Sequence, residues 1–128
     1  MAINWEKLKA RYEAVSPVVQ IDSLAMNLVR LQTLAEGGTE ESVAQHLIRE
    51  SQFFIEWTVP GLSLEIDMAL VQELLSLQRL LSRWKLNWSE LWNNPTKRQK
   101  MAETAQHWYE QLQSSGAIAS EVRLNMST

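Results

Sequence analysis

The sequence predicts an all-α fold, an antiparallel up-and-down bundle of about five helices with one long central helix. All four glycines and all three prolines fall at a few points, and the segments between them contain neither of these helix-breaking residues. Within those segments the apolar residues recur at helical spacing. Connections such as residues 59–62 are short, and short connections place consecutive helices antiparallel.

Composition limits the class of protein and the chemistry open to it. A chain of 128 residues forms one domain and can bury a core without disulfides or a structural metal. It contains no cysteine, which excludes disulfides, thiol catalysis and iron–sulfur clusters. The net charge is −3 with acids and bases interspersed, so nucleic acid is not a favoured partner. No cofactor is expected.

Neither a secretory signal nor a membrane span is expected. The N-terminus, MAINWEKLKARYEAV, is charged by its sixth residue and has no apolar h-region, so we expect a cytoplasmic protein. The longest uninterrupted apolar run is residues 68–71, far short of the roughly 18 residues that cross a bilayer. We place a single domain at residues 1–116 and a tail without periodicity, docked or disordered, at residues 117–128.

The first two helices follow from apolar spacing and end signals. The first helix presents four residues on one face: Trp5, Leu8, Tyr12 and Val15. The second starts between Pro17 and Ser23, because a proline suits the first turn whereas the β-branched residues that follow it do not. It ends at Gly37, a residue typical of helix C-caps.

The third and fifth helices are delimited by caps and prolines. Thr39 is the predicted N-cap of the third helix, which runs to about Thr58. Asn94 and Pro95 form a cap and a first-turn proline for the fifth helix, which runs to about Ser114.

A short motif recurs at two predicted helix starts. Residues 3–8 (INWEKL) and 86–91 (LNWSEL) share an apolar residue, Asn, Trp, two polar residues and Leu. In this pattern the Asn is the N-cap and the flanking apolar residues form a hydrophobic staple. We therefore expect Asn4 and Asn87 to be N-caps, with Glu90 completing a capping box with Asn87.

The fourth helix, capped by Ser63 and running to about Leu86, is predicted to be the long central one. Its broad apolar stripe consists of Ile66, Leu70, Leu74, Leu77, Leu81 and Trp84. A narrower stripe lies nearly opposite and consists of Leu64, Met68, Val71 and Leu75. A helix that is apolar on two sides is either enclosed in its own fold or offers one side to another chain. In the second case the narrower stripe is the interface of a homodimer.

Enzyme motifs are absent from the sequence, which favours a non-catalytic protein, but one cluster is an alternative. His46, Glu50 and Glu73 interrupt the apolar arcs of the third and fourth helices, and the two glutamates lie at similar heights across the hairpin. If they meet, a buried His/Glu/Glu cluster suits acid–base chemistry or a single metal ion. Otherwise these side chains form ordinary hydrogen-bonded pairs within a bundle.

A basic cluster at the start of the fifth helix is a second alternative. Lys97, Arg98 and Lys100 lie in the first two turns, where positive charge opposes the helix dipole. With free backbone N–H groups they could hold a phosphate or bind nucleic acid weakly. The competing interpretation is a solvated turn whose cations pair with Glu90 or Glu103.

Half of the six tryptophans lie in RWKLNWSELWNN, residues 83–94. Trp84 closes the fourth helix, and Trp88 and Trp92 lie on a short turn before the fifth. We expect all three to pack in a corner where helix ends converge, and a ligand-binding or partner-binding face remains open only for Trp88 and Trp92.

These observations favour a small helical protein that recognises other proteins, an adaptor or regulatory subunit that self-associates or binds an unknown protein partner. The two alternatives are the His46, Glu50 and Glu73 site and the basic cluster.

Overall fold

The computed structural model describes the backbone of residues 4–126 and the side chains of residues 4–116. Within that range the chain forms six α-helices and one 3-10 turn and no β-strand, so the all-α prediction is confirmed. The helices are α1 (Trp5–Glu13), α2 (Pro17–Gly37), α3 (Glu41–Thr58), α4 (Met68–Leu86), α5 (Trp88–Trp92) and α6 (Pro95–Met126), and the 3-10 turn is Val59–Gly61. None of the helices in this range combines the length and the apolarity that crossing a membrane requires.

The central helix is α2, whereas the sequence predicts the fourth. α2 has 21 residues and packs most extensively against α6 and α3. Its interior residues recur every three or four positions: Gln20, Ile21, Leu24, Ala25, Asn27, Leu28, Leu31 and Ala35. α4 instead buries one stripe against α3 and α6. The broad stripe predicted for it is buried from Leu70 to Trp84, so that part of the prediction is confirmed.

Two hydrogen bonds show how α2 and α6 pair. Arg98 near the start of α6 bonds to Ala35 near the end of α2, and Gln113 bonds to Asp22 near the start of α2. Residue numbers rise along one helix as they fall along the other, so these neighbours are antiparallel. The up-and-down order of the whole bundle stays a prediction.

The predicted Asn residues stand at three helix starts, but only Asn4 and Asn94 cap their helices through the side chain, whereas Asn87 occupies the N-cap position of α5 without a side-chain cap bond. Asn4 Oδ1 accepts from Lys7 N at 3.1 Å, and Asn94 Oδ1 accepts from two backbone N–H groups in the first turn of α6. Asn87 makes no such bond to α5, and its Nδ2 donates to Arg83 O at 3.0 Å. The side chain therefore satisfies a carbonyl at the end of α4, and the predicted capping box is not formed.

The link between α2 and α3 uses left-handed backbone at two positions. Gly38 has φ 64° and is the C-cap of α2, and Glu40 has φ 54°. Glu40 rather than Thr39 is the N-cap of α3, which shifts the predicted start by one residue.

The fourth helix begins at Met68, five residues later than the predicted cap at Ser63. Ser63 N donates to Asp67 Oδ2 at 2.9 Å, and Asp67 N donates to Ser63 O at 2.7 Å. These bonds close residues 63–67 into a turn around the buried Asp67. Leu64 and Ile66 are consequently on this turn and exposed to solvent, not on the helix.

The last helix passes its predicted end near Ser114 and continues to Met126. Gly116 does not terminate it, because this buried glycine packs against α2, where an added Cβ would lie 3.4 Å from Ile21 Cγ2. The domain boundary predicted after residue 116 therefore does not coincide with a helix end. The side chains of residues 117–126, and residues 127–128 entirely, lie outside the described part of the chain.

Candidate functional sites

His46 and Glu50 form a pair on α3, as their spacing suggests. His46 Nε2 lies 3.3 Å from Glu50 Oε2, and the other carboxylate oxygen accepts from Nδ2 of the buried Asn27 at 3.1 Å. The ring of Trp5 lies against the imidazole with a centroid separation of 5.7 Å. The Glu50 carboxylate therefore joins α3 to α2 through Asn27, and its bond to His46 stays within α3.

Glu73 does not join this pair. Its two carboxylate oxygens accept hydrogen bonds from Gln111 Nε2 and Ser115 Oγ, both on α6. Gln78, a residue of α4 that bonds to α3, lies five residues further along, which is about 140° around the helix. The predicted cluster of His46, Glu50 and Glu73 is thus not formed, and residues 4–116 contain no group of three His, Asp or Glu side chains arranged to hold a metal.

The three cations at the start of α6 face different partners. Lys97 Nζ pairs with the Glu90 carboxylate, and this hydrogen bond and positive charge lower the pKa of Glu90. Arg98 is turned toward backbone carbonyls, and Lys100 is exposed. They do not converge on one point, as a phosphate site requires. The alternative prediction, a solvated turn whose cations pair with nearby glutamates, holds for Lys97 and Glu90. No ion pair forms with Glu103 among the described side chains.

Arg98 joins the ends of two helices. Its Nε donates to Ala35 O at 2.9 Å and its Nη1 to Trp92 O at 2.8 Å, and its guanidinium lies 5.7 Å from the Trp92 ring centroid. Both carbonyls lie at helix C-termini, where carbonyls lack intrahelical partners and positive charge is favourable. Its charge is therefore favourable at the C-termini of α2 and α5, which offsets its unfavourable place at the start of α6.

The tryptophan corner is packed. Trp84, Trp88 and Trp92 are 7%, 7% and 5% exposed. The rings of Trp88 and Trp92 stack with centroids 5.0 Å apart, and Trp88 Nε1 donates to Glu41 Oε1 at 2.9 Å. This arrangement is core packing at a junction of helix ends, and it leaves little ring surface for a ligand.

The predicted interface stripe is only partly exposed. Val71 is buried, so its assignment to an interface is wrong; it lies on the side of α4 that turns toward α3. Leu64, Met68 and Leu75 are 63%, 46% and 44% exposed. Leu86 is 84% exposed, so the hydrophobic staple predicted for it with Leu91 is not formed. It lies 18 residues after Met68, which is five whole turns. We name Leu64, Met68, Leu75 and Leu86 the outer α4 face.

A cleft of about 670 Å³ lies between α3 and α4. Gln52 Nε2 donates to Ser82 Oγ at 3.1 Å, and Gln78 Nε2 donates to Gln52 O at 3.2 Å, so two hydrogen bonds join the walls. Arg49 and Lys85 also line it. The sequence indicated the polar face of α3 but gave no sign that α4 would provide an opposite wall.

A second depression, of about 440 Å³, lies between α2 and α3. Its lining is mainly apolar and includes Val29, Val43 and Leu47, with the His46 and Glu50 pair at its edge. The imidazole of His46 therefore lies between this depression and the α3–α4 cleft.

Comparison with protein-family models, with curated proteins and with solved structures finds no match for this chain. The class that the fold defines is an all-α protein.

Proposed function

We propose that this protein is a non-catalytic recognition protein that self-associates through the outer α4 face. The observation that carries the proposal is the alignment of exposed apolar side chains on that helix. Met68, Leu75 and Leu86 are separated by about two and about three turns, so they form one row about 27 Å long. Rows of exposed apolar side chains on soluble proteins are typical of interaction surfaces.

A second copy of the chain is the partner that this row fits best. Leu75 is the interior member of the row, with Met68 two turns before it and Leu86 three turns after it. A two-fold axis through Leu75 would pair α4 with itself antiparallel, so that each end of the row meets the opposite end.

The charges beside the outer α4 face suit the same arrangement. Glu65 is exposed at one end of the row and Arg83 is exposed at the other. In an antiparallel pair each glutamate would approach the arginine of the other copy, whereas a parallel pair would bring like charges together. The charge pattern therefore favours the antiparallel orientation.

The titratable groups that the sequence singled out give catalysis no comparable support. Glu50 and Glu73 accept hydrogen bonds from side chains on different helices, and both bonds hold the bundle together. Arg98 is occupied by backbone carbonyls. The metal-site and anion-site alternatives therefore lack the convergence of groups that each needs.

Sedimentation equilibrium tests the proposal. We expect the wild-type protein to form a dimer in a concentration-dependent manner, and Leu75→Glu to be monomeric because two buried carboxylates would face each other across the axis. Val43→Glu is the matched control, since Val43 is also 44% exposed but lies on α3. Circular dichroism checks that both variants fold. A strictly monomeric wild type at high micromolar concentration, or equal dissociation of the two variants, would contradict the proposal.

A further inference from the structure

The cleft between α3 and α4 separates positive from negative charge along its length. The Gln52–Ser82 hydrogen bond marks its middle. A second hydrogen bond between the two walls joins Trp88 to Glu41. From the first bond to the second, residue numbers rise from Ser82 to Trp88 on one wall and fall from Gln52 to Glu41 on the other. The two walls therefore run antiparallel. A residue a given number of positions before Gln52 faces the residue the same number of positions after Ser82, and the converse holds on the other side of the bond.

One end of the cleft is cationic. Arg49, three residues before Gln52, and Lys85, three residues after Ser82, line opposite walls at this end. The guanidinium of Arg49 lies 5.2 Å from the ring centroid of Trp5, and this stacking leaves its N–H edge open to a ligand. Neither cation forms a hydrogen bond or ion pair with any side chain that the structure describes. An anionic group between them would satisfy both.

The other end of the cleft accepts hydrogen bonds. Glu56 lies four residues after Gln52 and Gln78 four residues before Ser82, again on opposite walls. Glu56 is exposed and makes no ion pair within the described part of the chain. Gln78 Oε1 is a buried oxygen with no hydrogen-bond donor there. A positively charged N–H donor would satisfy these two acceptors.

We infer that the cleft binds a short peptide of about three residues with both ends unblocked. Its C-terminal carboxylate lies between Arg49 and Lys85, and its N-terminal ammonium lies at Glu56 and Gln78. The two ends are seven residues apart on α3, which is about 10 Å, and an extended tripeptide spans at most about 10–11 Å. The cleft volume of about 670 Å³ falls within the range typical of ligand sites. Phe53 provides an apolar contact for its side chains.

Isothermal titration calorimetry with trialanine, with its N-acetylated form and with its C-amidated form tests this inference. We expect trialanine to bind and each blocked form to bind at least about tenfold more weakly, because each lacks one charge. Absence of binding by trialanine at millimolar concentration, or equal binding of all three peptides, would overturn the inference. Binding of inorganic phosphate without binding of trialanine would overturn it as well.

Variants assign each end of the peptide. We expect Lys85→Gln to weaken trialanine binding about tenfold and to leave the C-amidated peptide unaffected, because that peptide has no carboxylate to lose. Glu56→Gln should show the converse pattern with the N-acetylated peptide. Lys100→Gln is the control, since Lys100 is exposed outside the cleft. If it weakens binding as much as Lys85→Gln, the site is not the cleft.

Discussion

Replacing Arg98 by Met is expected to destabilise the fold by about 1.5–4 kcal/mol. The methionine retains the apolar stem but removes both donors, which leaves Ala35 O and Trp92 O without their partner. Ala35 is 1% exposed and Trp92 5%, so water has poor access to these residues. Loss of the two hydrogen bonds costs about 0.5–1.5 kcal/mol each, and loss of the contact with the Trp92 ring adds about 0.5–1 kcal/mol.

Urea unfolding followed by circular dichroism measures this change in the free energy of unfolding. At about 2.1 cal/mol/K of unfolding entropy per residue, 128 residues give a fall in Tm of about 4 °C for each kcal/mol. Arg98→Lys should be intermediate, because a single ammonium cannot reproduce the planar fork of donors. Lys100→Met is the control and should change stability by less than about 0.5 kcal/mol. If Arg98→Met were as mild as Lys100→Met, the bridging role of Arg98 would be refuted.

Three further changes are predicted. Gly38→Ala should lower the free energy of unfolding by about 1–2 kcal/mol, because φ is 64° and the added Cβ would lie 2.7 Å from Arg98 Nη2. Gly37→Ala is the control: the nearest atom lies 3.5 Å from its added Cβ, so the free energy of unfolding should be unchanged or higher. Tyr12→Phe should cost about 1–3 kcal/mol in urea unfolding, because the buried hydroxyl bonds to Thr58 Oγ1 at 2.5 Å and to a backbone carbonyl. Burial raises the pKa of the Tyr12 phenol above its ordinary 10.0, so its contribution to stability is complete below pH 10 and is lost as the pH rises further. The difference in unfolding free energy between wild type and Tyr12→Phe should therefore shrink above pH 10, and a difference that stays constant to pH 11 would be inconsistent with this linkage.

Local signals in the sequence determine most helix positions. The Asn94 and Asn4 caps and the buried stripe from Leu70 to Trp84 are readable because each depends on residues within a turn or two of one another. The burial of the three tryptophans in residues 83–94 follows from their size.

Features that depend on contacts between distant segments could not be read in this way. Gly116 resembles a helix stop in sequence, yet it is a packing residue because Ile21 approaches it from α2. Arg98 resembles an unfavourable charge at a helix start, and its compensation comes from Ala35, 63 residues earlier. Ser63 resembles a helix N-cap in sequence, yet α4 begins five residues later because Ser63 and Asp67 bond to each other and close a turn.

In the candidate sites, too, contacts within one helix can be predicted from the sequence, whereas contacts between helices cannot. The pairing of His46 with Glu50 depends on one turn of α3 and is readable, whereas the partners of Glu73 depend on how α4 is rotated against α6. The α3–α4 cleft also depends on that rotation. The alignment of Leu86 with Met68 on one side of α4, by contrast, can be read from the sequence, because the two residues are 18 positions apart, which is five whole turns.

Disulfide trapping of Leu75→Cys tests the proposed self-association most directly. The chain contains no cysteine, so a single introduced thiol gives an unambiguous product. A two-fold axis through residue 75 brings the two thiols together, and a disulfide requires Cα atoms about 4.4–6.8 Å apart. We expect mild oxidation to yield a covalent dimer rapidly, and Val43→Cys, at an equally exposed position on α3, to remain monomeric. If both variants cross-link at the same slow rate, the outer α4 face is not the interface.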